Sequence, residues 1–184
     1  VFLNELPNAT MPEDCKAALM LILFTGARPG EIVNMTKDNI DGDWLVLSRD
    51  ERKNKKPHRS YLVPEAKALI PESGSYDIST NNYLSKKLAR ALTGKESGKN
   101  DIEISLPVAH FTPNDLRRTC ATGLSELCFI DDLLDVYQGR QKTGVVRVYN
   151  RNRYDKERQE MAEAWAQRLE NIRTETEVTD HKQT

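Results

Sequence analysis

Cysteine is scarce: the three in 184 residues, Cys15, Cys120 and Cys128, fit neither a disulfide framework nor metal-type spacing, so a stapled secreted scaffold and a zinc site are both disfavoured. They read as small buried hydrophobes of a reducing compartment. Long apolar runs are lacking too. Ala17 to Phe24 is too short to cross a bilayer, and nothing at the start reads as a signal peptide. A soluble intracellular protein with no membrane partner is the default expectation, and Val1 in place of Met reads as a fragment of a longer polypeptide. Charge imbalance is also missing, since 27 Lys and Arg meet 28 Asp and Glu for a net charge of −1. Any polyanionic partner must therefore be read from how charge is distributed. No internal repeat is present.

The length suits one domain with a normal core. Met11 to Phe24 predicts a helix apolar enough to lie inside the fold, with Gly26 just past its end. Arg28 follows at its exit, and Pro29-Gly30-Glu31 restarts a short helix to about Met35. Asp43 to Ser48 and Ser60 to Val63 give the only clear β pattern, two strands around a lysine-rich turn. Glu65 to Leu69 predicts a helical turn, Asn81 to Leu92 a helix, and Thr93 to Asp101 a flexible loop. Thr112-Pro113-Asn114-Asp115 is a strong helix start with a capping box, which puts Asn114 and Arg117 on one face of the first turn. Met161, Trp165, Leu169 and Ile172 predict an amphipathic helix over 156–172, packed on its own core or docked on a neighbouring protomer. The expected class is mainly α (α+β), helical with a small antiparallel sheet. Residues 1–173 form the domain, and 174–184 read as a disordered tail.

Positive charge is concentrated. Arg49, Arg52, Lys53, Lys55, Lys56 and Arg59 crowd one short stretch against Asp50 and Glu51, whereas residues 155–184 lean acidic. Solvated faces would produce such runs as well. The order of the basic elements says more: Thr25-Gly26-Ala27-Arg28-Pro29-Gly30-Glu31-Ile32, the lysine-rich turn, Asn114-Asp115-Leu116-Arg117-Arg118-Thr119, Arg140, then Val148-Tyr149-Asn150-Arg151. Attack on a phosphodiester raises charge on its nonbridging oxygens, and guanidinium groups grip two oxygens while staying protonated. Arg28 and Arg117 are the candidate clamp, Tyr149 the nucleophile, and Lys53 the donor to the leaving 5′ oxygen. Tyr137 and Tyr154 compete with Tyr149, and a surface arginine pair bridging Asp115 or Glu126 is the plainer reading of the second element.

Taken together these elements resemble the catalytic domain of a tyrosine recombinase of the phage integrase family, from about Thr10 to Leu169. The first arginine box carries Arg28, the hairpin lysine is Lys53, and Asn114-Asp115-Leu116-Arg117 matches a box that is normally His-x-x-Arg. Gln138-Gly139-Arg140 stands in the usual Leu-Gly-His element, nine residues before Tyr149. The resemblance implies catalytic roles for Arg28, Lys53, Asn114, Arg117, Arg140 and Tyr149, and DNA contacts from Arg52, Lys55, Lys56, His58 and Arg118. It implies a 3′-phosphotyrosine intermediate with no cofactor, metal or ATP, and duplex DNA as partner. The working assembly would be a homotetramer, the free fragment a monomer. N-terminal DNA-binding domains would belong to the full-length protein, in a bacterial or phage nucleoid-associated, cytoplasmic setting. Alone, the domain is expected to bind DNA weakly and salt-sensitively.

Two departures matter: Asn114 replaces a histidine, and Arg140 replaces histidine or tryptophan. Neither shuttles a proton at working pH. A DNA-binding protein with a degenerate site, a type IB topoisomerase and a helical interaction module remain as rival readings.

Overall fold

A computed structural model of the chain describes residues 1–52, 55–95, 103–140 and 154–180, with side chains to residue 175. The described residues are mainly α-helical with one small antiparallel sheet. In chain order the helices are α1 (Phe2–Glu5), α2 (Glu13–Thr25), α3 (Pro29–Val33), α4 (Pro64–Lys67), α5 (Asn81–Thr93), α6 (Pro113–Glu126), α7 (Asp131–Gln138) and α8 (Asp155–Asp180). The strands β1 (Ile40–Asp41), β2 (Trp44–Leu47) and β3 (His58–Tyr61) lie between α3 and α4.

Helix α2 is the axle. Cys15, Ala18, Leu19, Leu21, Ile22 and Leu23 are all buried, Ala17, Met20 and Phe24 are half-buried on the remaining side, and α3, α4, α5, α6 and α8 pack around it. A helix apolar on every side can be stable in water only in such a place. It stops at Gly26, whose φ of 60° is the left-handed cap that turns the chain out of the core toward Arg28.

The sheet orders as β1-β2-β3, with Trp44 opposite Tyr61, Leu45 opposite Ser60, Val46 opposite Arg59 and Leu47 opposite His58. Leu45 and Leu47 face the core, so register carries Ser60 and His58 inward with them. On the other face the Arg59 guanidinium lies 4.0 Å from the Trp44 ring centroid and 3.4 Å from Asp155. β3 begins and ends two residues before the span its sequence pattern predicts, and β1 is too short to carry an alternating pattern.

The capping box of α6 forms: Asp115 Oδ2 accepts the Thr112 N–H at 2.9 Å and its hydroxyl at 2.7 Å. Helix α7, unexpected from the sequence, buries Leu134, Tyr137 and Gln138 and ends at Gly139 with φ 59°. Helix α8 packs on the core of its own chain through Met161, Ala162, Trp165 and Leu169. It runs to Asp180, beyond the 156–172 expected, where composition suggested a tail from Thr174. Local bonds carry the extra turns, including Arg173 to Glu170 at 2.7 Å and the Thr174 hydroxyl to Glu170 O at 3.1 Å. Residues 181–184 and most of the expected 93–101 loop lie outside the described residues. Among the described residues no helix is long and apolar enough to cross a membrane.

Trp165 is the clasp between α8 and the axle. Its indole N–H donates to Leu23 O at 2.8 Å, and its ring fills a notch on α6 where a Cβ at Gly123 would fall 2.1 Å from Cζ3. Gly123→Ala is therefore expected to destabilise the fold by about 1–3 kcal/mol, the usual cost of overpacking. Urea titration measures this, and an unchanged midpoint would contradict the notch.

Candidate active site

Arg28 is placed by three residues of local chemistry. The Thr25 hydroxyl donates to Leu21 O at 2.6 Å and accepts the Ala27 N–H at 3.2 Å, tightening the exit from α2. Arg28 is extended, Pro29 opens α3, and Glu31 on the first turn folds back. Its Oε2 accepts the Arg28 backbone N–H at 3.0 Å and its Oε1 accepts Arg28 Nη1 at 2.9 Å. The Arg28 side chain remains 31% exposed while Glu31 is only 5% exposed, so the buried carboxylate holds a reachable guanidinium. Burial works to raise the Glu31 pKa, but the Arg28 N–H and the Arg52 guanidinium outweigh it and leave the carboxylate below its ordinary value.

Arg117 reaches the same place from α6. Its Nη1 donates to Gly26 O, two residues before Arg28, and Nη2 donates to Gln138 O at 2.9 Å. Gln138 returns the contact, its side-chain N–H donating to Arg117 O at 2.7 Å. One buried guanidinium thus joins the end of α2 to the end of α7. Gly26 permits the approach, since a Cβ there would lie 3.1 Å from Gln138 Nε2 and 3.2 Å from Cys120 Sγ. Burial, and then the charge of Arg28 with further pressure from Arg140 and Arg52, lowers the Arg117 pKa to about 10 against the pull of Glu31. It stays protonated at neutral pH, and Arg28, Arg117 and Arg140 share one electrostatic field.

The remaining candidates separate. Arg140 is exposed just beyond Gly139, its N–H bonded to Asp135 O at 2.8 Å. Asn114 is exposed on the first turn of α6. Arg118 is 78% exposed and pairs with Asp115 at 2.7 Å, so the plainer bridging reading holds for Arg118 and not for Arg117. Lys55 is exposed, 3.9 Å from Asp50, and Lys56 is half-buried. Lys53 and Tyr149 lie outside the described residues. Tyr137, a rival nucleophile, is 1% exposed and donates its hydroxyl to Phe24 O at 2.9 Å; burial drives its pKa up. Attack on DNA from that position would require α7 to leave the core.

Two expected DNA contacts are instead interior. Arg52 is 2% exposed and His58 is 6% exposed, so neither lies on the surface a duplex would touch. Arg52 belongs to an ion pair with Glu31, at 2.9 Å, and His58 follows the inward register of β3. The His58 Nδ1 lies 3.3 Å from Arg158 Nη1, and Nε2 lies 3.3 Å from the Ser60 hydroxyl. Sequence reasoning also missed Glu31 and Arg158. Glu31 had a signal, a carboxylate three residues after an arginine at a helix start; Arg158 is one of several cations on α8 and had none.

Burial first, and then the charges of Arg158, Arg52, Arg117 and Arg28, hold the His58 pKa well below its ordinary value. The folded imidazole is neutral, whereas in the unfolded chain it takes up a proton below about pH 6.5. The unfolded state then binds the additional proton, so stability falls as pH drops beneath about 6.5, by up to about 1.4 kcal/mol per pH unit. Urea titrations at pH 7.5 and 5.5 measure the slope, and His58→Gln is expected to flatten it. Glu31 titrates below its ordinary carboxylate range and does not contribute in that window.

Among the described residues no group of His, Cys, Asp and Glu is arranged to hold a metal ion. No curated protein and no solved structure matches the chain. The model of the Phage integrase family matches residues 2–156, the greater part of its length. With Arg117 of α6 bonded to Gly26 O, two residues before Arg28, and the family model covering most of the chain, the chain belongs to the phage integrase family as a tyrosine recombinase catalytic domain.

Proposed function

We propose that this domain cleaves and rejoins strands of duplex DNA through a 3′-phosphotyrosine intermediate, in integrating or excising a mobile element. Arg28 and Arg117 grip the nonbridging oxygens of one backbone phosphate, and Arg140 adds a third charge at the rim. The Tyr149 hydroxyl releases its proton to solvent water as its oxygen attacks phosphorus, the P–O5′ bond breaks, and Lys53 gives the departing 5′ oxygen its proton. The new phosphotyrosine ester keeps the energy of the broken linkage, so a 5′ hydroxyl can reverse the step without ATP. Four protomers on two duplexes would perform the exchange. The observation that supports this reading is the bond from Arg117 Nη1 to Gly26 O, which brings a guanidinium from a segment 91 residues away to the turn that delivers Arg28.

A second reading rests on Asn114 and Arg140, which offer no proton acceptor where the family keeps histidine. In that case the domain binds DNA without cutting it, or cuts it slowly. A nicked suicide duplex, from which the short fragment diffuses away after cleavage, decides between them. Wild type is expected to accumulate a covalent protein–DNA adduct and Tyr149→Phe none. Salt-sensitive DNA binding without adduct in either protein would establish the second reading and overturn the first.

A further inference from the structure

We infer that Arg52 is a positioning residue for the arginine clamp, an inference that rests on the strand-cleaving reading above. Cations this deeply buried are rare unless paired, and an apolar side chain would fill the same space without desolvating a charge. What an apolar side chain lacks is a fork of donors. Arg52 uses its fork on three separate segments: Nε donates to Glu31 Oε1 at 2.9 Å, Nη1 to Lys56 O at 3.3 Å and Nη2 to Gly139 O at 3.3 Å. The first contact fixes the carboxylate that holds Arg28. A second fixes the backbone at Lys56, two residues before β3. The third fixes the turn immediately before Arg140.

Gly139 supplies an independent sign that this arrangement is tight. A Cβ there would lie 2.6 Å from Arg52 Nη2, 2.8 Å from Nη1 and 2.8 Å from His58 Nδ1, at a φ of 59° that L residues rarely adopt. The backbone has been brought against the guanidinium as closely as a residue without a side chain allows. Arg52 therefore acts at one remove, touching no DNA and setting where Arg28 and Arg140 stand when DNA arrives.

The test uses the chain as it is, with a nicked suicide duplex as probe and Arg52→Gln, Arg52→Lys and Gly139→Ala as variants. Single-turnover adduct formation is expected to fall on the order of 100-fold in Arg52→Gln, the scale of an ångström-sized misplacement, with DNA affinity by anisotropy held within about threefold. Arg52→Lys keeps the charge but not the fork and should fall between Arg52→Gln and wild type, and Gly139→Ala should lower the rate by crowding the guanidinium. In a double-mutant cycle with Glu31→Gln the two losses should not add, because both act through one contact.

A rate within about threefold of wild type in Arg52→Gln, or losses that add in the cycle, would overturn the inference. So would rate losses that, in every variant, merely follow loss of the folded circular-dichroism signal at the assay temperature. If wild type itself forms no adduct, the strand-cleaving reading fails first; if wild type reacts and Arg52 proves indifferent, only this inference fails.

Discussion

Replacing Arg117 by alanine is expected to slow strand cleavage by about 10²- to 10³-fold and to cost substantial stability as well. The two effects have separate origins. For the chemistry, removing one donor to the developing charge costs about 10²- to 10³-fold. For the fold, the guanidinium bonds to Gly26 O and Gln138 O, and each buried carbonyl left without a partner costs about 1–3 kcal/mol. Against a total of about 5–15 kcal/mol for a domain, that loss is large. Arg117→Lys separates the two: an ammonium keeps the charge but does not span both carbonyls, so part of the stability should return without much of the rate. Urea titration and single-turnover cleavage of a nicked duplex read the two quantities independently. An alanine variant as stable as wild type would mean that the carbonyls find water or rearrange.

Asn114→His is the second large effect, and it runs in the favourable direction. Asn114 stands exposed at the start of α6, one turn before Arg117, where an amide can donate a hydrogen bond but cannot take the proton that Tyr149 would lose under the proposed reaction. The described residues do not place a titrating base there, since His58 is interior and flanked by guanidinium groups. Introducing an imidazole should speed adduct formation by about 10²- to 10⁴-fold, the usual worth of general acid–base catalysis. The rate should also acquire a pH dependence near 6.5, the ordinary value for an exposed histidine. An unchanged rate and a flat pH profile in Asn114→His would show that proton removal does not limit the reaction.

The parts of the molecule that were legible in sequence are those where one local pattern decides the structure. The apolar circumference of α2, the capping box at Thr112 and the spacing of Met161, Trp165 and Leu169 each name a helix and the face it buries. That Arg28 follows the exit of α2 and Arg117 lies near the start of α6 was legible because helix caps mark both places. Charge alone misled at Arg52 and His58. Both stand in a cationic run that reads as surface, yet Arg52 is drawn inward by a carboxylate 21 residues earlier and His58 by its pairing with Leu47. Tertiary partners of that kind leave no periodic trace. The same holds for Arg158, whose bonds reach back to a strand 99 residues away, and for α7, too short for its pattern to stand out.

The account stands on Tyr149 joining DNA through a phosphate gripped by Arg28 and Arg117. Mass spectrometry of the peptide left on DNA after trapping on a nicked duplex and proteolysis tests this most directly. The account predicts a 3′ phosphate esterified to Tyr149, with no such peptide from Arg28→Gln at the same time point. Linkage to Tyr137 or Tyr154, attachment to a 5′ phosphate, or no linkage from the wild-type protein would contradict it.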